Sequence, residues 1–126
     1  MSINYTHPAE LLVNTLQRIY DYGMTTTSGG NISIKDEEGN VWITPSGVDK
    51  GTLTPADIMK VTPAGEKIGR HTPSCELPFH CAVYRLRPDA RVVLHAHSPA
   101  LVAFSLVAPS PCAWRPDLPG AAREAR

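Results

Sequence analysis

Two short alternating runs, Ile32-Ser33-Ile34 and Val41-Trp42-Ile43-Thr44, flank the turn-forming segment Glu37-Glu38-Gly39-Asn40. Alternation at period two gives each run one apolar face, and the polar, glycine-bearing segment between them closes a hairpin. This feature commits the chain to antiparallel sheet. The residues on either side supply the layers that cover it.

Upstream, Thr6 or His7 precedes Pro8, which suits the first turn of a helix, and Leu12, Leu16 and Ile19 recur at i, i+4 and i+7 with Tyr20 beside them. Gly23 is placed to end that helix in a left-handed conformation. Its apolar stripe is expected to pack on the sheet. Downstream, Pro45-Ser46-Gly47 makes a tight turn, Thr54-Pro55-Ala56-Asp57 a capped helical turn, and Ile58 to Thr62 a further short strand. Ser74 is read as the cap of a helix running to about Leu86, with Pro78 in its first turn and Pro88 beyond its end. Arg91 to His97 is a β-rich run, and Ser98-Pro99 starts a short helix through about Leu106. Helices and hairpins interleaved in this way predict an α/β fold, layered α/β/α around a largely antiparallel central sheet.

A chain of 126 residues predicts one domain. Twelve Lys+Arg balance twelve Asp+Glu with no block of like charge, which excludes the concentrated basic face that nucleic acid or a membrane surface demands. No apolar run approaches the roughly 20 residues of a membrane span. The start, MSINYTHPAE, lacks the basic and apolar regions of a signal peptide, so a cytoplasmic location is expected. Cys75, Cys81 and Cys112 are too few and too irregular for a disulfide framework and read as reduced thiols. The last 18 residues, from Pro109, hold four prolines, four alanines and three arginines without strand or helix period. The expected division is therefore a domain over residues 1–108 and an irregular tail over 109–126, foreign to the fold.

His95-Ala96-His97 carries the sharpest chemical signal. On a strand, i and i+2 share a face, so two imidazoles stand side by side and offer a platform for zinc or a similar divalent ion. Two histidines alone are an incomplete site, and on spacing alone a pair of partly exposed strand histidines is the better reading. Glu76, at the start of the predicted helix, suits a structural first-turn acid; as a general base it would need to sit beside the metal with a pKa raised by partial burial. His80, four residues on, reads as a packed or surface histidine. The turns Ser28-Gly29-Gly30-Asn31, Ser46-Gly47 and Ser74-Cys75 offer backbone N–H groups and hydroxyls of the kind that cradle phosphate, although most such turns are only turns. No cysteine-hydrolase pattern surrounds Cys75.

Taken in order, Ser28-Gly29-Gly30-Asn31-Ile32-Ser33, Ile43-Thr44-Pro45-Ser46-Gly47, Pro73-Ser74-Cys75-Glu76, Arg87-Pro88-Asp89 and Val93-Leu94-His95-Ala96-His97 resemble the class II aldolase/adducin family over about residues 8 to 107. The resemblance implies that His95 and His97 are zinc ligands, that Glu76 is the catalytic acid/base, and that Ser28, Gly30, Asn31, Ser46, Gly47 and Ser74 hold a substrate phosphate. It implies a zinc-dependent sugar-phosphate aldolase cleaving a ketose phosphate through an enediolate, working as a homotetramer on a small sugar-phosphate substrate. A 4-epimerase or dehydratase of the same family is the alternative, and a non-catalytic adducin-like interaction module another. Two departures stand out. Cys75 occupies a position where such aldolases often carry Ser. The family's third zinc histidine lies well downstream of the HxH pair, and the 29 residues after His97 include no histidine. The C-terminal part of the fold is read as missing, and weak or absent aldolase activity is expected of the isolated chain.

Overall fold

The computed structural model describes residues 6–107. The expected tail over 109–126 lies outside the described residues. The first helix, α1, spans Pro8–Asp21, with Pro8 in its first turn and the His7 imidazole Nδ1 accepting from the Ala9 N–H at 3.2 Å as the cap. Gly23 follows at φ +67°, the left-handed stop that its position predicts. Strands β1 (Asn31–Lys35) and β2 (Val41–Ile43) form the hairpin. Its turn is fastened by the Asp36 carboxylate, which accepts from the Asn40 backbone N–H at 2.8 Å and the Trp42 indole N–H at 2.9 Å.

A single 3₁₀ turn, Pro55–Asp57, leads to β3 (Met59–Val61) and a two-residue β4 (Lys67–Ile68). Helix α2 (Leu77–Leu86), β5 (Val92–His95) and helix α3 (Pro99–Val107) complete the described chain. The strands lie in the order β4-β3-β2-β1-β5, and every neighbouring pair is antiparallel. The layered α/β/α architecture with an antiparallel sheet is therefore present.

Each face of the sheet has its own core. Ala9, Leu12 and Leu16 of α1 bury against Ile32, Leu53 and Ile58. Full burial of a leucine such as Leu12 or Leu16 stabilises by about 2 kcal/mol. On the opposite face, Tyr84 of α2 packs with Val41, Ile43, Met59 and Val61, and Leu77 and Val93 border them. Val92 and Leu94 of β5, on the α1 side of the sheet, stay about half exposed.

Three boundaries differ from expectation. Helix α2 starts at Leu77 with Glu76 at its cap, and Ser74 is two residues too early; its hydroxyl instead accepts from the Glu76 N–H at 3.3 Å. Strand β5 stops at His95 and leaves His97 in the connection before Pro99, a residue that cannot extend a ladder. Strand β4 is new: two exposed residues carry no legible period, and the strand is set by the Thr62–Glu66 turn with Gly65 at φ +87°.

Candidate active site

Strand β1 begins at Asn31, and the two glycines before it are there for different reasons. Gly30 sits at φ +73°, and a Cβ on it would stand 2.8 Å from the His95 carbonyl oxygen. Gly29 has no such dihedral. A side chain there would stand 2.8 Å from the Thr26 hydroxyl and 2.9 Å from the His97 Nδ1. The loop thus brings bare backbone against both histidines of the HxH pair. The two imidazoles have centroids 4.8 Å apart and are tilted by 48°.

Helix α2 approaches from the sheet's other side. The Glu76 Oε2 lies 2.6 Å from the His95 Nδ1. One turn on, His80 is fully buried, with Nε2 2.5 Å from the Asn31 Oδ1 and Nδ1 2.7 Å from the Ser33 hydroxyl. The Tyr84 hydroxyl lies 2.7 Å from the same serine oxygen. An amide oxygen only accepts, so His80 Nε2 carries the proton and its Nδ1 accepts from Ser33, which in turn accepts from Tyr84. Burial lowers the His80 pKa and raises that of Tyr84, in keeping with a neutral imidazole and a protonated phenol. The Asn31 amide also acts on Glu76, lowering its pKa. A directed chain of hydrogen bonds runs from Tyr84 through Ser33 and His80 to Asn31, and no buried side-chain polar atom among the described residues lacks a partner.

The sequence reading requires a raised Glu76 pKa for a general base, and the structure corrects this. Burial alone pushes the carboxyl up, but the Asn31 amide and the His95 imidazole outweigh it and hold the pKa below the ordinary glutamate value. Glu76 therefore rests ionised. It borders a cleft of about 740 Å³ with His95, Phe79, Leu94, Ala96, Ser98 and Leu101.

The three small-residue turns are neighbours. The Ser46 N–H donates to the Thr72 carbonyl at 2.9 Å, the Ser74 N–H to that of Thr44 at 3.0 Å, and Pro45 and Pro73 form a bridge between them. The Lys50 N–H donates to the Thr27 carbonyl at 2.9 Å, tying in the first loop. Ser28 and Gly47 share a cleft of about 290 Å³ with Thr27, Val48 and Asp49. Ser28, Ser46 and Gly47 are exposed, whereas Gly30, Asn31 and Ser74 are buried, and Asn31 spends its side chain on His80 and Glu76. Among the described residues, no three His, Cys, Asp or Glu side chains are arranged to hold a metal ion. Sequence reasoning missed Ser33, Tyr84 and Lys50. No local signal could have found Ser33, because it shares its strand face with the polar Asn31 and Lys35 and reads as part of a solvated face.

Residues 10–123 match the family described as the class II aldolase and adducin N-terminal domain. A methylthioribulose-1-phosphate dehydratase of Methylococcus capsulatus is 42% identical over 83 residues, covering 66% of this chain and 41% of its own. A 3-oxo-tetronate 4-phosphate decarboxylase of Haemophilus influenzae is 32% identical over 96 residues, covering 76% and 46%. The solved L-fuculose-1-phosphate aldolase of Thermus thermophilus superposes with a TM-score of 0.67 at 32% identity, over 80% of this chain and 51% of that one. The chain spans about half the length of these relatives.

Proposed function

Because the chain belongs to the class II aldolase and adducin N-terminal domain family, we propose that it carries the acid/base and phosphate-holding half of a lyase acting on a phosphorylated keto-sugar. Within that class, the reading supported best is a dehydratase. The retro-aldol expectation gives way to it, since the curated dehydratase shares 42% identity and the fuculose-phosphate aldolase 32%. The observation that carries the proposal is the Glu76–His95 contact of 2.6 Å at the edge of the larger cleft.

Dehydration of a ketose 1-phosphate needs a base to take the proton from the carbon next to the carbonyl. Collapse of the resulting enediolate restores that carbonyl and expels the β-hydroxyl, which leaves as water with the proton the base had taken, and the enol that remains tautomerises to a second ketone. Glu76 rests ionised, so its first act is to accept that proton on Oε1 or Oε2. His95 holds the carboxylate in place through Nδ1, and the Tyr84-to-Asn31 chain fixes it from the other side. The exposed Ser28, Ser46 and Gly47 supply hydroxyl and N–H donors for the phosphate, with Gly30, Asn31 and Ser74 shaping the loops behind them.

The donor set fits a divalent ion such as zinc in part. With Nδ1 committed to a carboxylate, His95 presents Nε2, the arrangement common for metal-bound histidine, and His97 stands beside it. When bound, such an ion supplies Lewis-acid polarisation of the substrate carbonyl and hydroxyl. Assembly as a homotetramer and a cytoplasmic setting also belong to the proposal. Among the described residues, no helix is long and apolar enough to cross a membrane.

Proton abstraction can be observed without a complete catalytic cycle. Wild-type protein and Glu76→Gln would be incubated with zinc and a panel of ketose 1-phosphates in deuterated water, and the hydrogens next to the carbonyl followed by NMR. Exchange by wild type and not by the variant is expected. Equal exchange in both, or none above buffer, would sink the proposal, and absence of stoichiometric zinc as well would favour an adducin-like interaction module.

A further inference from the structure

Lys50 is a buried cation among the three small-residue turns. The residue is 4% exposed. Its Nζ donates to the Pro45 carbonyl at 2.8 Å, and its backbone N–H holds the Thr27 carbonyl at 2.9 Å. The ammonium therefore sits behind the Pro45-Ser46-Gly47 turn and is strapped to the loop that carries Ser28. Among the described residues Lys50 forms no ion pair; those present join Asp57 to Arg70 and His71, Asp89 to Arg87, and Glu76 to His95.

An ammonium taken out of water with no counter-ion costs several kcal/mol, and one carbonyl satisfies only one of its three N–H donors. Burial accordingly pushes its pKa below the ordinary lysine value. The cleft next to it, lined by Thr27, Ser28, Gly47, Val48 and Asp49, brings a carboxylate to the place where an anion would enter. The Asp49 carboxylate is partly occupied, since its Oδ1 accepts from the Gly51 N–H at 2.8 Å. Its charge nonetheless opposes an arriving phosphate. A cation fixed behind the turn offsets that repulsion without blocking the cleft, and its own burial is compensated when the anion arrives.

We propose that Lys50 is a positioning residue for a phosphate monoester, holding the Pro45–Gly47 turn and supplying the positive charge that draws the phosphate into the cleft shared by Ser28 and Gly47. The inference rests on the reading that these turns bind phosphate, and it adds the charge that backbone and hydroxyl donors lack.

The test is a titration of the full chain with inorganic phosphate, followed by NMR at the Ser28 and Gly47 amides and at the Lys50 Cε and Nζ. All three sites should shift and saturate at one common concentration. Lys50→Met, neutral and of similar length, should weaken phosphate binding about tenfold, while Lys50→Arg should retain most of it. Amides that do not respond would overturn the phosphate reading of the turns themselves. Amides that respond while the Lys50 resonances stay still, or a folded Lys50→Met that binds phosphate as wild type does, would overturn the role of Lys50 alone. Should Lys50→Met fail to fold, the wild-type Lys50 resonances decide the matter.

Discussion

Asn31 and His95 are paired residues across β1 and β5, so the backbone register itself sets the amide that meets His80 beside the imidazole that meets Glu76. Ser33, two residues on, keeps the same face and receives Tyr84. A slip of one residue would turn Asn31 and Ser33 toward α1 and leave His80 buried against apolar strand side chains. The polar chain behind Glu76 is therefore as secure as the hairpin.

Replacing Asn31 by Ala removes the one acceptor that the buried His80 Nε2–H has among the described residues. A loss of about 1–3 kcal/mol is expected, lowering the melting temperature by several degrees on thermal unfolding. Asn31→Asp keeps an acceptor but places a second carboxylate next to Glu76. The Glu76 pKa should then rise, as followed by carbon NMR through the acid range. A variant as stable as wild type would mean that His80 finds another partner.

Gly29→Ala and Gly30→Ala separate two kinds of damage. The first sets a methyl against the tip of His97 and the Thr26 hydroxyl, both side chains that can move. It should weaken zinc binding about tenfold or more in calorimetric titration with little change in melting temperature. The second adds strain at φ +73° and a clash with the His95 backbone oxygen, so it should cost about 1–3 kcal/mol of stability. Equal zinc affinity in Gly29→Ala and wild type would argue that His97 is no ligand.

Adding zinc to metal-stripped protein should raise its melting temperature in a concentration-dependent way, because a ligand that binds only the folded state stabilises it by mass action. His95→Ala and His97→Ala should each abolish the shift. Loss in one variant alone would reduce the site to a single imidazole.

Acid should destabilise the chain through Asp57. Hydrogen bonds from the Thr54 side chain, opposed by burial, and then from His71 and Arg70 hold this carboxyl far below the ordinary aspartate value. A depressed folded-state pKa binds protons less readily than the unfolded chain does. The resulting stability is complete above the unfolded value of about 4 and drains away as pH falls toward the folded one. Urea midpoints measured from pH 7 down to pH 3 should decline, and Asp57→Asn, less stable at neutral pH, should show a flatter acid limb. Parallel declines in both proteins would place the acid sensitivity elsewhere.

Local signals were strong where one residue type permits one backbone. Pro8 and Gly23 bracket α1, the Glu37–Asn40 segment turns between β1 and β2, and Pro55 opens its 3₁₀ turn, all as read from the chain. The HxH pair and Glu76 were legible as reactive groups facing one another, but the particular His95–Glu76 contact, which spans 19 positions, depends on how α2 docks. Lys50, Ser33 and Tyr84 were illegible for the same reason. A lysine beside a turn looks solvated until the turn folds over it, and a tyrosine at helical spacing looks like core until its hydroxyl meets Ser33. The Glu76 pKa ran opposite to expectation because the two groups that lower it most, Asn31 and His95, come from separate strands, β1 and β5.

Strand β5 is bonded to β1 along one side and, among the described residues, to no strand along the other. An edge of this kind breathes on its own, with an opening free energy below that of global unfolding. Each opening would lift His95 away from Asn31 and Glu76 together, so the reactive pair exists only during the closed lifetime of four residues. Amide exchange at Val93, whose N–H faces β1 in the bonded pair with Ser33, would then clock the same event that assembles and dissolves the chemistry, and cross-linking β5 to β1 would change both at once.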